Sequence, residues 1–191
     1  MATSHVRTIS VAHLDIDPTP TGAGRRPIGR PVPDRVLATI LHAKTVASEQ
    51  DEETKELIRG HRGRLIRTTA DGIVATFDAP GQAIRCAAAV REGAAAAGIQ
   101  VRAGIHTGEV DLVGEGIAGL SVQITDRVAA LAGPAEILVS RTVKDLVAGS
   151  GITFAERGSH PLNGPPDEWP LFAVTGFAAP AGVGGTMVRS G

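Results

Sequence analysis

The stretch RLIRTTADGIVATF, residues 64–77, contains two runs rich in β-branched residues that are separated by an Asp-Gly turn. Runs of this kind joined by Asp-Gly predict a β-hairpin, because glycine adopts the positive φ angle that a tight turn requires. The predicted strands are 64–69 and 73–77, with Asp71 and Gly72 at the tip. The hairpin gives an antiparallel pair from which the neighbouring elements are assigned.

Outside the hairpin, the apolar pattern alternates between strand and helix periodicities. Ser48, Asp78 and Ser140 are expected to cap helices. The further strands are expected at 36–41, 101–113, 137–139, 152–156 and 169–174, and the helices at 48–61, 82–97, 119–131 and 140–147. The first of these strands should be central and the last should lie at an edge. This order predicts an α+β fold, a ferredoxin-like sandwich with helices packed on a mainly antiparallel sheet.

Composition divides the chain into three parts. Residues 1–33 are expected to contain a short strand at 9–16 and then a Pro/Gly-rich stretch, and they are expected to form an arm and linker. Residues 34–175 are expected to form the compact domain. Residues 176–191 are rich in Gly, Ala and Pro, which predicts a flexible tail.

The totals exclude several classes of function. Among 191 residues the net charge is −1 and aromatics make up 3%, so neither a basic phosphate-binding face nor base-stacking platforms are expected, and no nucleic-acid partner is predicted. The single cysteine, Cys86, excludes an intrachain disulfide and a Cys-rich zinc site. No apolar run is long enough to cross a bilayer and no secretory signal is visible, so no membrane partner is expected and a cytoplasmic location is predicted.

The segment GEGIAG, residues 114–119, matches the pattern G-x-G-x-x-G of dinucleotide-binding folds. However, the preceding strand is polar at alternate positions, unlike the buried first strand of such folds. Because the chain contains 24 glycines, we interpret the match as coincidental. A dinucleotide-dependent oxidoreductase is therefore the least favoured function for this chain. His106 and Glu109 on this strand suggest metal or acid–base roles, but a polar strand face is the preferred interpretation.

Several segments taken together resemble the catalytic domain of bacterial class III adenylyl/guanylyl cyclases. They are DRVLATIL (34–41), TTADGIVATF (68–77), VRAGIHTGEV (101–110), RVAALAGPAEILVSRT (127–142) and the ending ERGSHPLNGPPDEWPLFAV (156–174). The resemblance implies a cyclase-like fold over about 34–175. It also implies conversion of a purine nucleoside triphosphate to a cyclic nucleotide and pyrophosphate, with Mg²⁺ or Mn²⁺ as cofactor if the chain is active.

The family's metal ions are held by two aspartates, and the resemblance places Asp71 at one of these positions. The alternative for Asp71 is a residue chosen only for the Asp-Gly turn. Lys44 stands at the other position, and an ammonium group has no lone pair with which to ligate a metal. The segment between the two residues is shorter than in the family, so their convergence is left open. Asp15 and Asp17 lie outside the resemblance and are not expected to substitute.

The remaining site positions follow from the same resemblance. Arg67 and Gly116 stand where adenylyl members select the base with Lys and Asp, which predicts poor discrimination. Gln123 and Arg127 stand where the family has the transition-state Asn and Arg, four residues apart on one helix face. The alternative for Arg127 is an ion pair with Asp126 or with a neighbouring helix.

In this family two sites form across a head-to-tail dimer, so a homodimer of this chain would lack one metal ligand in both. We therefore expect a cyclase-like domain in cyclic-nucleotide signalling that is weak or inactive as a homodimer. A heterodimer with an intact cyclase domain would supply the missing ligand. The alternative is a non-catalytic pseudocyclase that acts as a dimerising or nucleotide-binding regulatory module.

Overall fold

The computed structural model of the chain describes residues 34–44, 51–162 and 168–178. The elements in chain order are β1 (Arg35–Lys44), α1 (Asp51–Gly60), β2 (Gly63–Thr69), β3 (Gly72–Phe77), α2 (Pro80–Ala96), β4 (Arg102–Val113), β5 (Gly116–Ala118), α3 (Leu120–Leu131), β6 (Ile137–Ser140), α4 (Arg141–Leu146), β7 (Ile152–His160) and β8 (Trp169–Phe177). The predicted run at 9–16, the linker and the Ser48 cap lie outside the described residues.

The strands form one eight-stranded sheet in the order β2-β3-β1-β4-β6-β8-β7, with β5 paired to β4. Elements β1 to β4, with α1 and α2 between them, follow the ferredoxin-like order β-α-β-β-α-β. Every pairing among the described strands is antiparallel except that of β4 with β6. The predicted fold class is therefore confirmed, and β1 is central as expected.

Helices cover both faces of the sheet. The larger core lies on the face under α1, α2 and α4, where Ile58, Ile84 and Val143 pack against the strands. Helix α3 covers the opposite face, and its Ile124 and Val128 pack against β6 and β8. None of the helices in the described part of the chain combines the length and hydropathy that crossing a bilayer demands.

Two details of the sequence prediction are wrong. Strand β8 is internal, between β6 and β7, because its continuous apolar run is buried on both faces and β7 becomes the edge. Asp78 does not cap α2: the N-cap residue is Ala79, and Pro80, which needs no N–H partner, opens the helix. Ser140 does occupy the N-cap of α4, but its side chain makes no capping hydrogen bond.

Helix α3 lies in close contact with β4 at Gly104. A Cβ atom placed on Gly104 would lie 2.2 Å from the backbone nitrogen of Ala129 and 2.8 Å from the carbonyl oxygen of Thr125. These are backbone atoms of a packed helix, which no side-chain rotation can move aside. The missing side chain of residue 104 therefore sets the distance between α3 and the sheet.

We expect Gly104→Ala to lower the free energy of unfolding by at least about 1–3 kcal/mol, the usual cost of overpacking a core. Urea denaturation measures the change. Gly60→Ala is the matched control, because a Cβ on Gly60 meets nothing within 4 Å, and it should change stability by less than about 0.5 kcal/mol. Equal stabilities of the two variants would contradict the close packing described here.

Candidate functional site

Lys44 and Asp71 converge at one end of the sheet. Lys44 is the last residue of β1 and lies in register with Gly72 of β3, the residue that follows Asp71 in the turn. Lys44 Nζ lies 3.4 Å from Asp71 Oδ2. The short segment between the two positions therefore does not prevent their convergence, because the β1–β3 pairing alone brings them together.

A third residue, Asp126 of α3, completes this cluster and was not assigned to the site from the sequence. Asp126 Oδ1 lies 2.7 Å from Lys44 Nζ and 3.1 Å from His42 Nδ1. The sequence places Asp126 directly before Arg127 in a predicted helix, but this does not indicate which strand its carboxylate faces. We call Lys44, Asp71, Asp126 and His42 the charge cluster.

The Lys44 ammonium is the centre of the charge cluster. Burial opposes its charge, but the hydrogen bond to Asp126 and the two carboxylates outweigh burial and raise the pKa of Lys44. A hydrogen bond from Thr69 Oγ1, 2.6 Å from Asp71 Oδ1, lowers the pKa of Asp71, and the ammonium lowers it further. The Asp71 carboxylate is therefore held ionised beside a fixed positive charge.

His42 forms the buried floor of the charge cluster. Its side chain is only 7% exposed, and burial together with the Lys44 ammonium lowers its pKa. Its Nε2 is buried and has no hydrogen-bond partner among the described residues. The imidazole is therefore neutral near pH 7 and adds no positive charge, so the cluster carries a net charge of about −1.

The charge cluster does not fit the two divalent ions that a cyclase site requires. Hard divalent ions need several oxygen ligands, whereas the centre of this cluster is an ammonium bonded to both carboxylates. Across the described ranges 34–44, 51–162 and 168–178, no three His, Cys, Asp or Glu side chains are grouped so as to hold a metal ion. At the centre of the cluster lies the Lys44 ammonium, with Asp71 and Asp126 as its partners.

The two base-selecting positions lie apart from each other, and of the two only Arg67 is close enough to the charge cluster for its charge to help lower the pKa of His42. Arg67 is exposed on β2, in register with Val74, which in turn pairs with His42. Gly116 lies on β5, next to the end of β4 that pairs with the beginning of β1. Lys44 ends β1 at the opposite end, so one subunit does not bring Gly116 to the charge cluster.

Gln123 and Arg127 are both exposed on α3. The predicted alternative for Arg127, an ion pair with Asp126, does not occur, because Asp126 pairs with Lys44 and His42 instead. Within the part of the chain that the structure describes, Arg127 has no ion pair. Its guanidinium is thus accessible to an anionic ligand.

The GEGIAG segment is not a phosphate-binding loop. Gly114 forms the turn between β4 and β5, residues 116–118 form the return strand, and Gly119 precedes α3. The hairpin is tied to β2 by Arg64, which donates a hydrogen bond to the carbonyl oxygen of Glu115 at 3.2 Å. This geometry gives no support to the dinucleotide alternative.

His106 is buried, so the expectation of a polar strand face is wrong at this position. It is 4% exposed, its Nδ1 lies 2.8 Å from Ser140 Oγ, and its ring meets Trp169 edge to face. This contact also explains why Ser140 makes no capping hydrogen bond. Glu109, by contrast, is exposed and lies 4.0 Å from Arg35. Neither residue contacts the charge cluster.

Comparison with known sequences finds relatives but no matching family model. The chain is 29% identical over 152 residues to a protein of Rhizobium meliloti named "Putative adenylate cyclase 3". That match covers 66% of this chain and 26% of the relative. The chain spans between about a quarter and a half of the length of the curated relatives it matches.

Solved structures give the fold. The adenylate/guanylate cyclase/hydrolase of Silicibacter pomeroyi superposes with a TM-score of 0.63 at 24% identity, over 75% of this chain and 98% of that one. The adenylyl cyclase CyaB of P. aeruginosa gives a TM-score of 0.65 at 16% identity, over 78% of this chain and 98% of that one. The resemblance stated from the sequence is confirmed: the chain has the class III adenylyl/guanylyl cyclase fold.

Burial of His106 predicts a stability that depends on pH. Burial lowers the pKa of His106 to about 4, whereas an exposed imidazole titrates near 6.5. As pH falls from 6.5 towards 4, His106 binds a proton in the unfolded chain but stays neutral in the folded chain. The contribution of His106 to the free energy of unfolding therefore falls by about 1.4 kcal/mol per pH unit.

We expect His106→Gln to remove this contribution, so the stability of the variant should decline less steeply between pH 6.5 and 4.5 than that of the wild type. Urea denaturation at several pH values measures both slopes. His160→Gln is the control, because this ring is partly exposed and its Nε2 lies 2.8 Å from the Arg157 carbonyl oxygen, and the variant should retain the wild-type slope. Parallel curves for wild type and His106→Gln would contradict the prediction.

Proposed function

We propose that residues 34–175 form a class III cyclase-like domain of cyclic-nucleotide signalling. Its reaction is the conversion of a purine nucleoside triphosphate to a cyclic nucleotide and pyrophosphate, with turnover that is low or absent in the homodimer. The low turnover is inferred from one observation. Lys44, at the position proposed for a metal aspartate, is ion-paired with Asp71 and Asp126.

The charge cluster is unfavourable for a triphosphate. Attack of the ribose 3′-hydroxyl on the α-phosphate requires compensation of the charge that spreads over the phosphates. The single positive charge of Lys44 is already engaged by two carboxylates, and the net charge of the cluster is negative. A triphosphate at this end of the sheet would meet repulsion where active cyclases provide cations.

The residues proposed for the opposite half-site are in a better position. Arg127, Gln123 and Arg67 are exposed, and among the described residues none of the three is engaged in an ion pair. A guanidinium matches phosphate oxygens bidentately, which suits Arg127 to a transferring phosphoryl group. We propose that Gln123 contacts the same phosphoryl group. Arg67 and Gly116 are assigned to the region of the site that faces the base. Without a side chain at 116, selection between adenine and guanine should be poor.

The second candidate function is a non-catalytic, dimerising regulatory module. Large hydrophobic side chains are exposed around the start of β1 and the end of β4, including Leu37 at 72% and Val113 at 59%. Exposed apolar side chains on neighbouring strands support a surface for protein–protein contact. In a heterodimer, a partner with both metal aspartates would complete one site with Arg67, Gln123 and Arg127 of this chain.

Purified protein with Mn²⁺ and ATP or GTP should form little cyclic product, and Lys44→Asp should raise the rate by at least about tenfold, because it replaces a repelling charge with a ligand. Lys44→Met is the matched control, since it removes the charge without adding a ligand, and it should recover less than Lys44→Asp. Rapid, metal-dependent turnover by the unaltered protein would refute the proposal.

Mixing this chain with an active class III cyclase domain whose own transition-state Arg is replaced by Ala should restore cyclic-product formation. Arg127→Ala in this chain should abolish the gain, whereas Arg141→Ala, which removes an exposed arginine paired with Asp145 on α4, should leave it intact. Unchanged output with every mixture would rule out the heterodimer.

A further inference from the structure

The ion pair between Lys44 and Asp126 joins residues that belong to different half-sites of one subunit. Lys44 ends β1, whereas Asp126 lies on α3 directly before Arg127. In the proposed heterodimer the partner supplies both metal aspartates and this chain supplies Arg127. Lys44 of this chain is therefore not part of the site that Arg127 completes, and an effect of Lys44 on that site has to pass through the protein.

Asp126 provides the polar attachment of α3 to the sheet. Its Oδ1 lies 2.7 Å from Lys44 Nζ and 3.1 Å from His42 Nδ1. A neutral imidazole donates from only one nitrogen, so we assign the proton of His42 to Nδ1, where it bonds to the carboxylate. Among the residues that the structure describes, no other side chain of α3 has a hydrogen bond or ion pair to a strand.

The apolar contacts of α3 are unequal on its two sides. On the side of β6 and β8, Ile124 and Val128 are buried in a packed cluster. Towards β1, the apolar contact is made by Val122, which is only partly buried. Between the two sides α3 lies against Gly104 and Gly108, which have no side chains to interlock with the helix. Without the ion pair, α3 is therefore less firmly held towards β1 and can roll about the line of the two glycines.

Gln123 and Arg127 lie next to Asp126 on the exposed side of α3. At about 100° per residue, Gln123 and Arg127 are about 60° and 100° from Asp126, in the same direction around the helix axis. A roll of α3 therefore moves both side chains, and it displaces the end of the long Arg127 side chain most. Misplacing a catalytic group by about 1 Å costs on the order of 100-fold in rate.

We propose that the Lys44–Asp126 ion pair couples the two half-sites of one subunit, so that Lys44 and Asp126 are positioning residues for Arg127. The inference rests on the proposed function, because Arg127 acts in a site that a partner completes. It gives the lysine at position 44 two opposite effects. Lys44 disfavours turnover in its own half-site, and through Asp126 it supports the half-site that contains Arg127.

The test is made in a mixture of this chain with an active class III cyclase domain whose own transition-state Arg is replaced by Ala. Lys44→Met and Asp126→Asn in this chain should each lower kcat by at least about fivefold, because Arg127 is misplaced. KM should change by less than about twofold, because an interaction made only in the transition state does not contribute to substrate binding. Lys44→Arg keeps the positive charge and should keep the kcat of the unaltered chain.

A matched control and a double variant show whether the effect passes through the ion pair. Lys144→Met should keep the unaltered kcat, since Lys144 lies on α4, on the opposite face of the sheet from α3, with its Nζ 4.3 Å from the centre of the Phe172 ring. The double variant Lys44→Met/Asp126→Asn should be no slower than the slower single variant, because both changes break the same pair. A loss equal to the product of the two single losses would contradict the coupling.

The orientation of α3 can also be measured without a partner or a nucleotide. Nitroxide labels on Arg127→Cys and on Glu156→Cys, an exposed position on β7, give a distance across the sheet by pulsed electron paramagnetic resonance. The native Cys86 is buried and does not take up the label. Adding Lys44→Met should shift or broaden the distance distribution, whereas adding Lys144→Met should leave it unchanged.

The two measurements separate this inference from the proposed function. If the unaltered chain forms no cyclic product in the mixture, the proposed heterodimer fails, and the label distances then decide whether the ion pair orients α3. An unaltered kcat or an unaltered distance distribution with Lys44→Met would overturn the coupling. If Lys44→Met does not fold, Asp126→Asn decides both measurements, since it changes a half-exposed side chain and nearly preserves its shape.

Discussion

The close contact of α3 with β4 at Gly104 determines which residues meet at the candidate site. Because residue 104 has no Cβ, the helix backbone at Thr125 and Ala129 lies against the strand. Asp126 is in the same helical turn, so its carboxylate reaches the end of β1, where Lys44 and His42 lie. If α3 lay further from the sheet by the width of a side chain, the Asp126 carboxylate would lie in solvent. The Lys44 ammonium would then keep Asp71 as its single carboxylate partner in the cluster.

Charge balance is the second constraint. Acidic residues that hold metal ions need an opposing charge, and carboxylates brought together without one repel each other. Here the chain supplies the opposing charge itself, on a lysine whose stem is part of the central strand. Lys44 therefore balances the charges of Asp71 and Asp126 at the end of β1. The ion pairs that hold the charge cluster together are also the reason for the low turnover proposed for the homodimer.

The fold was largely predictable because its signals are local. The Asp-Gly turn, the alternation of strand and helix periods, and the short connections give the order β-α-β-β-α-β and its antiparallel pairings. The edge assignment of β8 failed because sequence order does not say which of two late strands inserts beside β6. The prediction that Asp78 caps α2 failed because Ala79 is the N-cap residue. Pro80, which opens the helix, has no N–H group that a side chain could cap.

By itself, the sequence determined that residue 44 is a lysine, that Asp71 lies at a hairpin tip, and that Arg127 and Gln123 share a helix face. The tertiary structure decided that Asp126 turns towards Lys44 and not towards Arg127. Periodicity specifies which residues share a face of one element, whereas a contact between a strand end and a distant helix depends on how closely the two pack. That distance is set by the absence of a side chain at Gly104, whose effect appears only when α3 lies on the sheet.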